Sequence, residues 1–148
     1  MSADRPELVV VDTNVFLAAT DSSRAAHDAA VRFLREDQRR LAVTPHILRE
    51  YLAVMTRPVD ANGLGLSAVD AAANAQEVLG IATLLAEGPE TTARLLDLVH
   101  DGSATGKQVH DANVVVCALA HSAAAIVTDN ARHFERFAPL VPVEPLTR

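Results

Sequence analysis

Two short apolar runs in this 148-residue chain each end on an aspartate. LVVV, Leu8–Val11, leads into Asp12, and AIVT, Ala125–Thr128, leads into Asp129. A continuous apolar run of about four residues, stopped by polar groups, reads as a strand buried on both faces. Strands of that kind belong to parallel sheets clad in helices, where ligands bind beyond the carboxyl ends of the strands. Two carboxylates far apart in sequence are thereby directed to one edge of a sheet.

The rest of the chain alternates helix and strand signals. Thr13–Thr20 reads as a helix, interrupted at Asp21 and the two serines after it. His27–Gln38 reads as an amphipathic helix with Ala30, Val31, Phe33 and Leu34 on its apolar side, while Arg32, Arg35 and Arg39 share another. Leu41–Thr44 is a short strand. Thr44 and Pro45 have the form of an N-cap followed by proline at the first helical position, predicting a helix to about Met55 that Arg57-Pro58 ends. A loop holding Gly63 and Gly65 leads to a helix over Ser67–Leu79, stopped by Gly80, and then to a third strand, Ile81–Leu85. Gly88-Pro89-Glu90 opens a helix to about His100, and Asp101–Lys107, DGSATGK, is a flexible loop. Val109–Ala120 is apolar nearly all round and belongs in the interior. After the strand Ala125–Thr128 come a helical turn over Ala131–Phe137 and an edge strand, Val141–Glu144, fenced by Pro139 and Pro145.

This alternation predicts one domain over residues 1–148, without repeats or linkers. Its expected architecture is a three-layer α/β/α sandwich around a mainly parallel central sheet of about four to five strands. Right-handed crossovers then align the carboxyl ends of the strands on one edge.

A net charge of −6 argues against coating nucleic acid by charge alone. Action on a polyanion would need local neutralisation of phosphates, which a divalent metal held by carboxylates supplies. The lone Cys117 excludes an intramolecular disulfide and a multi-cysteine zinc cage, and is expected to be a small buried apolar residue. No basic stretch followed by a long apolar one opens the chain, so no secretory signal is expected. The longest uncharged apolar run, Val114–Val127, is shorter than the ~20 residues of a membrane-spanning helix. A cytoplasmic protein without membrane association is expected.

A third acid joins the two at the strand ends. Asp111 lies in the first turn of the interior helix that precedes the fourth strand. Clustered carboxylates raise one another's pKa unless a cation sits between them, and all-oxygen ligation suits Mg²⁺ or Mn²⁺. Asp12, Asp111 and Asp129 are thus candidate metal ligands. Each also has a plainer explanation: Asp12 as a helix N-cap, Asp111 as a complement to the helix dipole, Asp129-Asn130 as a turn. Glu50 falls off the apolar stripe Ile47, Leu48, Tyr51, Leu52 and Met55, and periodicity leaves it as a solvated surface glutamate.

Four segments, taken together, resemble PIN-domain ribonucleases. They are VVVDTNVFLA (Val9–Ala18), REYL (Arg49–Leu52), HDANVVVCA (His110–Ala118) and IVTDNARHF (Ile126–Phe134), and they occur in that family's order and spacing. The likeness is greatest to the VapC-like toxins of type II toxin–antitoxin pairs, and it spans almost the whole chain. It implies an RNA-cleaving site of four acids with one or two Mg²⁺ or Mn²⁺ ions, leaving 5′-phosphate and 3′-hydroxyl ends. Asp12, Glu50 and Asp111 match the first three acids, which promotes Glu50 over its bland reading. The fourth position is shared between Asp129, favoured as the ionised contributor, and Asn130, a water or ligand contact. Asp12 and Asp111 would anchor the principal ion, with Glu50 and Asp129 secondary, and Thr13, Asn14, Thr128 and Asn130 in support. The resemblance further implies an RNA substrate, a cognate antitoxin that blocks the acidic pocket, and a homodimer.

Arg49, Arg57, Lys107, Arg132 and His133 lie near the site segments in sequence, and each also reads as an ordinary solvated charge. Arg32, Arg35, Arg39 and Arg40 read as a polar helix face. His110 sits beside Asp111, but a metal site needs no histidine base. Two other functions stay open. One is a metal-dependent α/β phosphohydrolase resembling haloacid-dehalogenase enzymes, although Asn14 stands where those have a second aspartate. The other is a non-catalytic module that binds RNA or a partner.

Overall fold

The structure is a computed structural model and describes residues 5–146. The first four and last two residues of the expected 1–148 domain lie outside the described residues. Runs of branched apolar residues make the central strands. These are β1 (Leu8–Val11), β2 (Arg40–Val43), β3 (Ala82–Leu84), β4 (Ala125–Thr128) and β5 (Val143–Pro145). All pair in parallel, in the order β3-β2-β1-β4-β5. Every residue of β1 and β4 is buried, so both faces of the sheet are covered. Each valine so removed from water contributes about 1.5–3 kcal/mol. The α/β sandwich with a parallel sheet expected from the sequence is the architecture observed.

The covering helices are α1 (Thr13–Thr20), α2 (His27–Glu36), α3 (Pro45–Thr56), α4 (Ala68–Ile81), α5 (Pro89–His100) and α6 (Gln108–Ala120). Thr44 caps α3 as its sequence predicts, its hydroxyl accepting from the Ile47 N–H at 3.1 Å. The buried side of α3 is Ile47, Tyr51 and Met55, a spacing of four that keeps one helical face inward. In α6, Ala112 and the run Val114–Ala118 are buried, which places this helix in the interior. None of the helices among the described residues is long and apolar enough to cross a membrane.

Four local expectations need correction. Gly80 does not stop α4, which continues to Ile81. A helical glycine costs only about 1 kcal/mol relative to alanine, and the packing of Ala71, Ala75 and Val78 outweighs it. The helix ends instead where Ala82 enters the sheet opposite Leu41. The last strand starts at Val143, because the Val141 N–H is still bonded back to the Phe137 carbonyl. Pro145 is inside that strand rather than a fence, as an edge strand tolerates a residue without an N–H. Arg39 and Arg40 are not on α2, which ends at Glu36. Arg39 bridges Asp37 and Glu144, each at 2.8 Å, and Arg40 opens β2.

The strand order has one consequence for function. From β1 the chain moves outward through β2 to β3, then returns to lay β4 on the other side of β1. The reversal opens a crevice between the carboxyl ends of β1 and β4, the place where open α/β sheets bind ligands.

Candidate active site

Asp12 and Thr128 stand at that crevice. The Asp12 N–H continues the β1–β4 ladder to the Val127 carbonyl at 2.9 Å, so its side chain leaves the sheet at the strand end. Asp12 caps α1: its Oδ1 accepts from the Thr13 N–H at 2.9 Å, and its Oδ2 accepts from the Thr128 hydroxyl at 2.8 Å. Thr128 Oγ1 in turn accepts from the Asn130 N–H at 3.0 Å and from Asn14 Nδ2 at 3.2 Å. Asn14 Oδ1 takes the Asp129 N–H at 2.9 Å. The polar residues after the two strands thus knit the strand ends together beneath Asp12.

A cleft of about 640 Å³ lies above this network. Asp12, Thr13, Asn14, Glu50 and Asp111 line it, together with Arg57, Lys107, His110 and His133. Asp129 and Asn130 are not among its lining residues; Asn130 Nδ2 meets His133 Nε2 at 3.0 Å. Arg49 and Arg132 are not among them either. Arg57 is held at the rim by the end of α3 and the loop after it. Gly63 folds so tightly on Arg57 that a Cβ there would overlap the Arg57 carbonyl.

Glu50 reaches the cleft from α3. Its Oε2 accepts from the Thr13 hydroxyl at 2.9 Å, and its Oε1 lies 2.8 Å from His46 Nε2. An ionised carboxylate only accepts, so His46 carries the hydrogen on Nε2. The His46 ring stacks on His110, with centroids 5.0 Å apart and planes 3° from parallel. Sequence reading missed His46. Its signal was the spacing to Glu50, four residues on, which puts the two on one helical face.

The electrostatics separate the three acids. Burial pushes the Asp12 carboxyl up to about 6, against the hydrogen bonds from Thr128 and Thr13, and the nearby Glu50 and Asp111 charges add to the rise. Asp111 is also raised, first by burial and further by Glu50, with His133 opposing. Glu50 is lowered, chiefly by its hydrogen bond from His46, and that same bond raises His46.

Two observations bear on a cation here. Among the described residues, no three His, Cys, Asp or Glu side chains are already gathered in a group that could hold a metal ion. The chemistry of the cleft nevertheless fits a hard divalent ion. It offers carboxylate oxygens, and Asp12, raised first by burial and further by the Glu50 and Asp111 charges, is a carboxylate whose ionised form a cation would favour.

A family model described as the PIN domain matches residues 8–132. The chain belongs to the PIN-domain family. The matched span runs from β1 past β4, and so includes the crevice and the whole cleft lining except His133. Among curated proteins, none matches by sequence. Solved structures share the PIN fold. VapBC2 from Rickettsia felis, bound to a DNA fragment from its promoter, is 16% identical with a TM-score of 0.68, over 95% of this chain and 99% of that one. VapC20 of Mycobacterium tuberculosis, a sarcin–ricin-loop-cleaving toxin, is 14% identical with a TM-score of 0.68, over 84% and 92%. A toxin–antitoxin complex from Klebsiella pneumoniae is 18% identical with a TM-score of 0.61, over 90% and 94%.

Proposed function

We propose that this PIN-domain protein is a metal-dependent endoribonuclease and the toxin of a type II toxin–antitoxin pair. The observation that carries the reading is the single cleft in which Asp12, Glu50 and Asp111 meet Arg57 and Lys107 at the sheet's switch point. The fold likeness to an RNA-cleaving toxin and to a toxin–antitoxin complex supports it.

Asp12 and Asp111 would hold the principal Mg²⁺ or Mn²⁺, with Glu50 secondary and Asp129, which lies outside the cleft lining, at most an outer contributor. When bound, such an ion lowers the pKa of a water and offsets charge on the scissile phosphate. The chain's own groups do the rest. Thr128 and the Thr13 N–H fix both Asp12 oxygens, and the Thr13 hydroxyl fixes Glu50. Asn14 and Asn130 hold the backbone and side chains around Thr128. Arg57 and Lys107, which line the same cleft, would meet phosphates of the RNA. The acidic cleft also suits a basic segment of an antitoxin, and the working unit is a homodimer.

The test is cleavage of a mixed RNA pool by purified protein in Mn²⁺, in EDTA, and by Asp111→Asn in Mn²⁺. Cleavage in the first condition alone is expected. Cleavage that persists in EDTA or in the variant would overturn the metal mechanism. One observation favours a second reading, a non-catalytic RNA- or partner-binding module: among the described residues the acids that share the cleft do not form a ready-made group of three metal ligands. Tight RNA binding with no cleavage in any divalent ion would select it.

A further inference from the structure

We infer that His46 is a positioning residue that fixes the Glu50 carboxylate in the acidic cleft, through its hydrogen bond to Oε1 and its stack on His110. The inference rests on the proposed metal-dependent reading. Glu50 needs such support more than Asp12 does. Its side chain is 46% exposed, on a long flexible stem, whereas both oxygens of Asp12 are bound by groups at the strand ends. Left alone, an exposed glutamate samples several rotamers, and holding it in one costs conformational entropy.

Two donors reach it from different elements. The Thr13 hydroxyl of α1 takes Oε2 at 2.9 Å, and His46 Nε2 takes Oε1 at 2.8 Å. Each oxygen keeps a second lone pair for an ion or its waters. His46 is itself immobilised. Its side chain is only 14% exposed, and its ring lies flat on His110 of α6, the residue before Asp111. The stack therefore ties the helix carrying Glu50 to the helix carrying Asp111, across the cleft. A partner that orients a metal-binding carboxylate typically changes metal affinity or activity by roughly 10–100-fold when removed.

Three variants of the full chain separate the parts. His46→Ala removes bond and stack, His46→Phe keeps a ring on His110 without the donor, and His46→Gln keeps a donor without the ring. Calorimetric titration with Mn²⁺ alone is the first readout, and the split between kcat and KM on RNA is the second. Thermal unfolding monitors the fold. His46→Ala and His46→Phe are expected to bind Mn²⁺ roughly 10–100-fold more weakly, with kcat reduced and KM for RNA little changed. His46→Gln is expected to recover most of the loss. Parental affinity in both His46→Ala and His46→Phe would overturn the inference, as would tighter binding, which would make His46 a restraint on Glu50. Asp12→Asn is the control that separates the two levels. If it loses Mn²⁺ while the His46 variants do not, the metal reading stands and the His46 role fails. If the parent binds no Mn²⁺, both fall together.

Discussion

Thr128 donates its hydroxyl hydrogen to Oδ2 of Asp12 at 2.8 Å, although 116 positions separate the two in sequence. The bond exists because β1 and β4 are paired with Val11 opposite Val127, so the next residue of each strand faces the same crevice. Thr128 is fully buried and also accepts from Asn14 and the Asn130 N–H. Thr128→Val keeps its shape and removes every one of these bonds. The expected loss is about 1–3 kcal/mol of unfolding free energy, since the half-buried partners lose the hydroxyl that satisfies them. Urea denaturation of the two proteins measures it.

Asp12 makes the stability of the metal-free protein depend on pH in an unusual direction. Its folded pKa, about 6, is raised above the ordinary 3.8 by burial. The folded state therefore holds this proton more tightly than the unfolded state does. The resulting stability is fully present below about pH 3.8 and is lost as pH rises through about 6. Asp12→Asn removes the charge that causes the loss. In EDTA it is expected to stabilise the protein by up to about 3 kcal/mol at pH 7.5, less whatever the altered bond to Thr128 costs. Near pH 3.5 the gain should vanish. Thermal unfolding across pH for both proteins checks the sign, and a variant less stable than its parent at pH 7.5 would contradict it.

The sheet was legible because its strands carry their own signal. LVVV and AIVT have too few residues for a helix and no polar alternation, so both faces had to be buried, and Asp12 and Asp129 had to sit at strand ends. The N-cap at Thr44 was legible for the same local reason. What periodicity could not show was Glu50. It lies off the apolar stripe of α3, and its place in the cleft depends on a hydroxyl 37 residues away. Only the likeness to a known family singled it out. His46 was hidden because a histidine near a helix start has many uses, and its partners, Glu50 and His110, are on two different helices. Gly80 misled in the opposite way, since a local helix breaker lost to the packing of the helix around it.

Cys117 should be chemically silent in the native protein. It is fully buried on α6, and burial pushes its thiol up to about 11. The thiolate is the reactive form, so both access and ionisation oppose modification. At pH 8 a thiol reagent is expected to label the folded protein slowly, at the rate of its opening, and the unfolded protein at once. Mass spectrometry before and after adding denaturant tests this. Rapid labelling under native conditions would mean that α6 is not the closed interior helix described.

The cations of the cleft and those elsewhere on the surface should contribute differently to RNA binding. Arg57 and Lys107 line the cavity that holds the acids, while Arg32 and Arg35 are exposed on α2. An acidic protein has no broad positive field to attract RNA, so the few phosphate contacts it makes should carry most of the salt dependence of binding. Each phosphate contact on a single strand contributes about 0.7 to the slope of log affinity against log salt concentration. Arg57→Ala and Lys107→Ala are each expected to reduce that slope by roughly one contact's share and to weaken binding to all RNA sequences alike. Arg32→Ala and Arg35→Ala should leave both slope and affinity unchanged. Filter binding with catalytically inert Asp111→Asn as the background, between 50 and 200 mM salt, measures all four. Equal losses from the α2 and cleft variants would mean that RNA lies along α2 and not over the carboxylates.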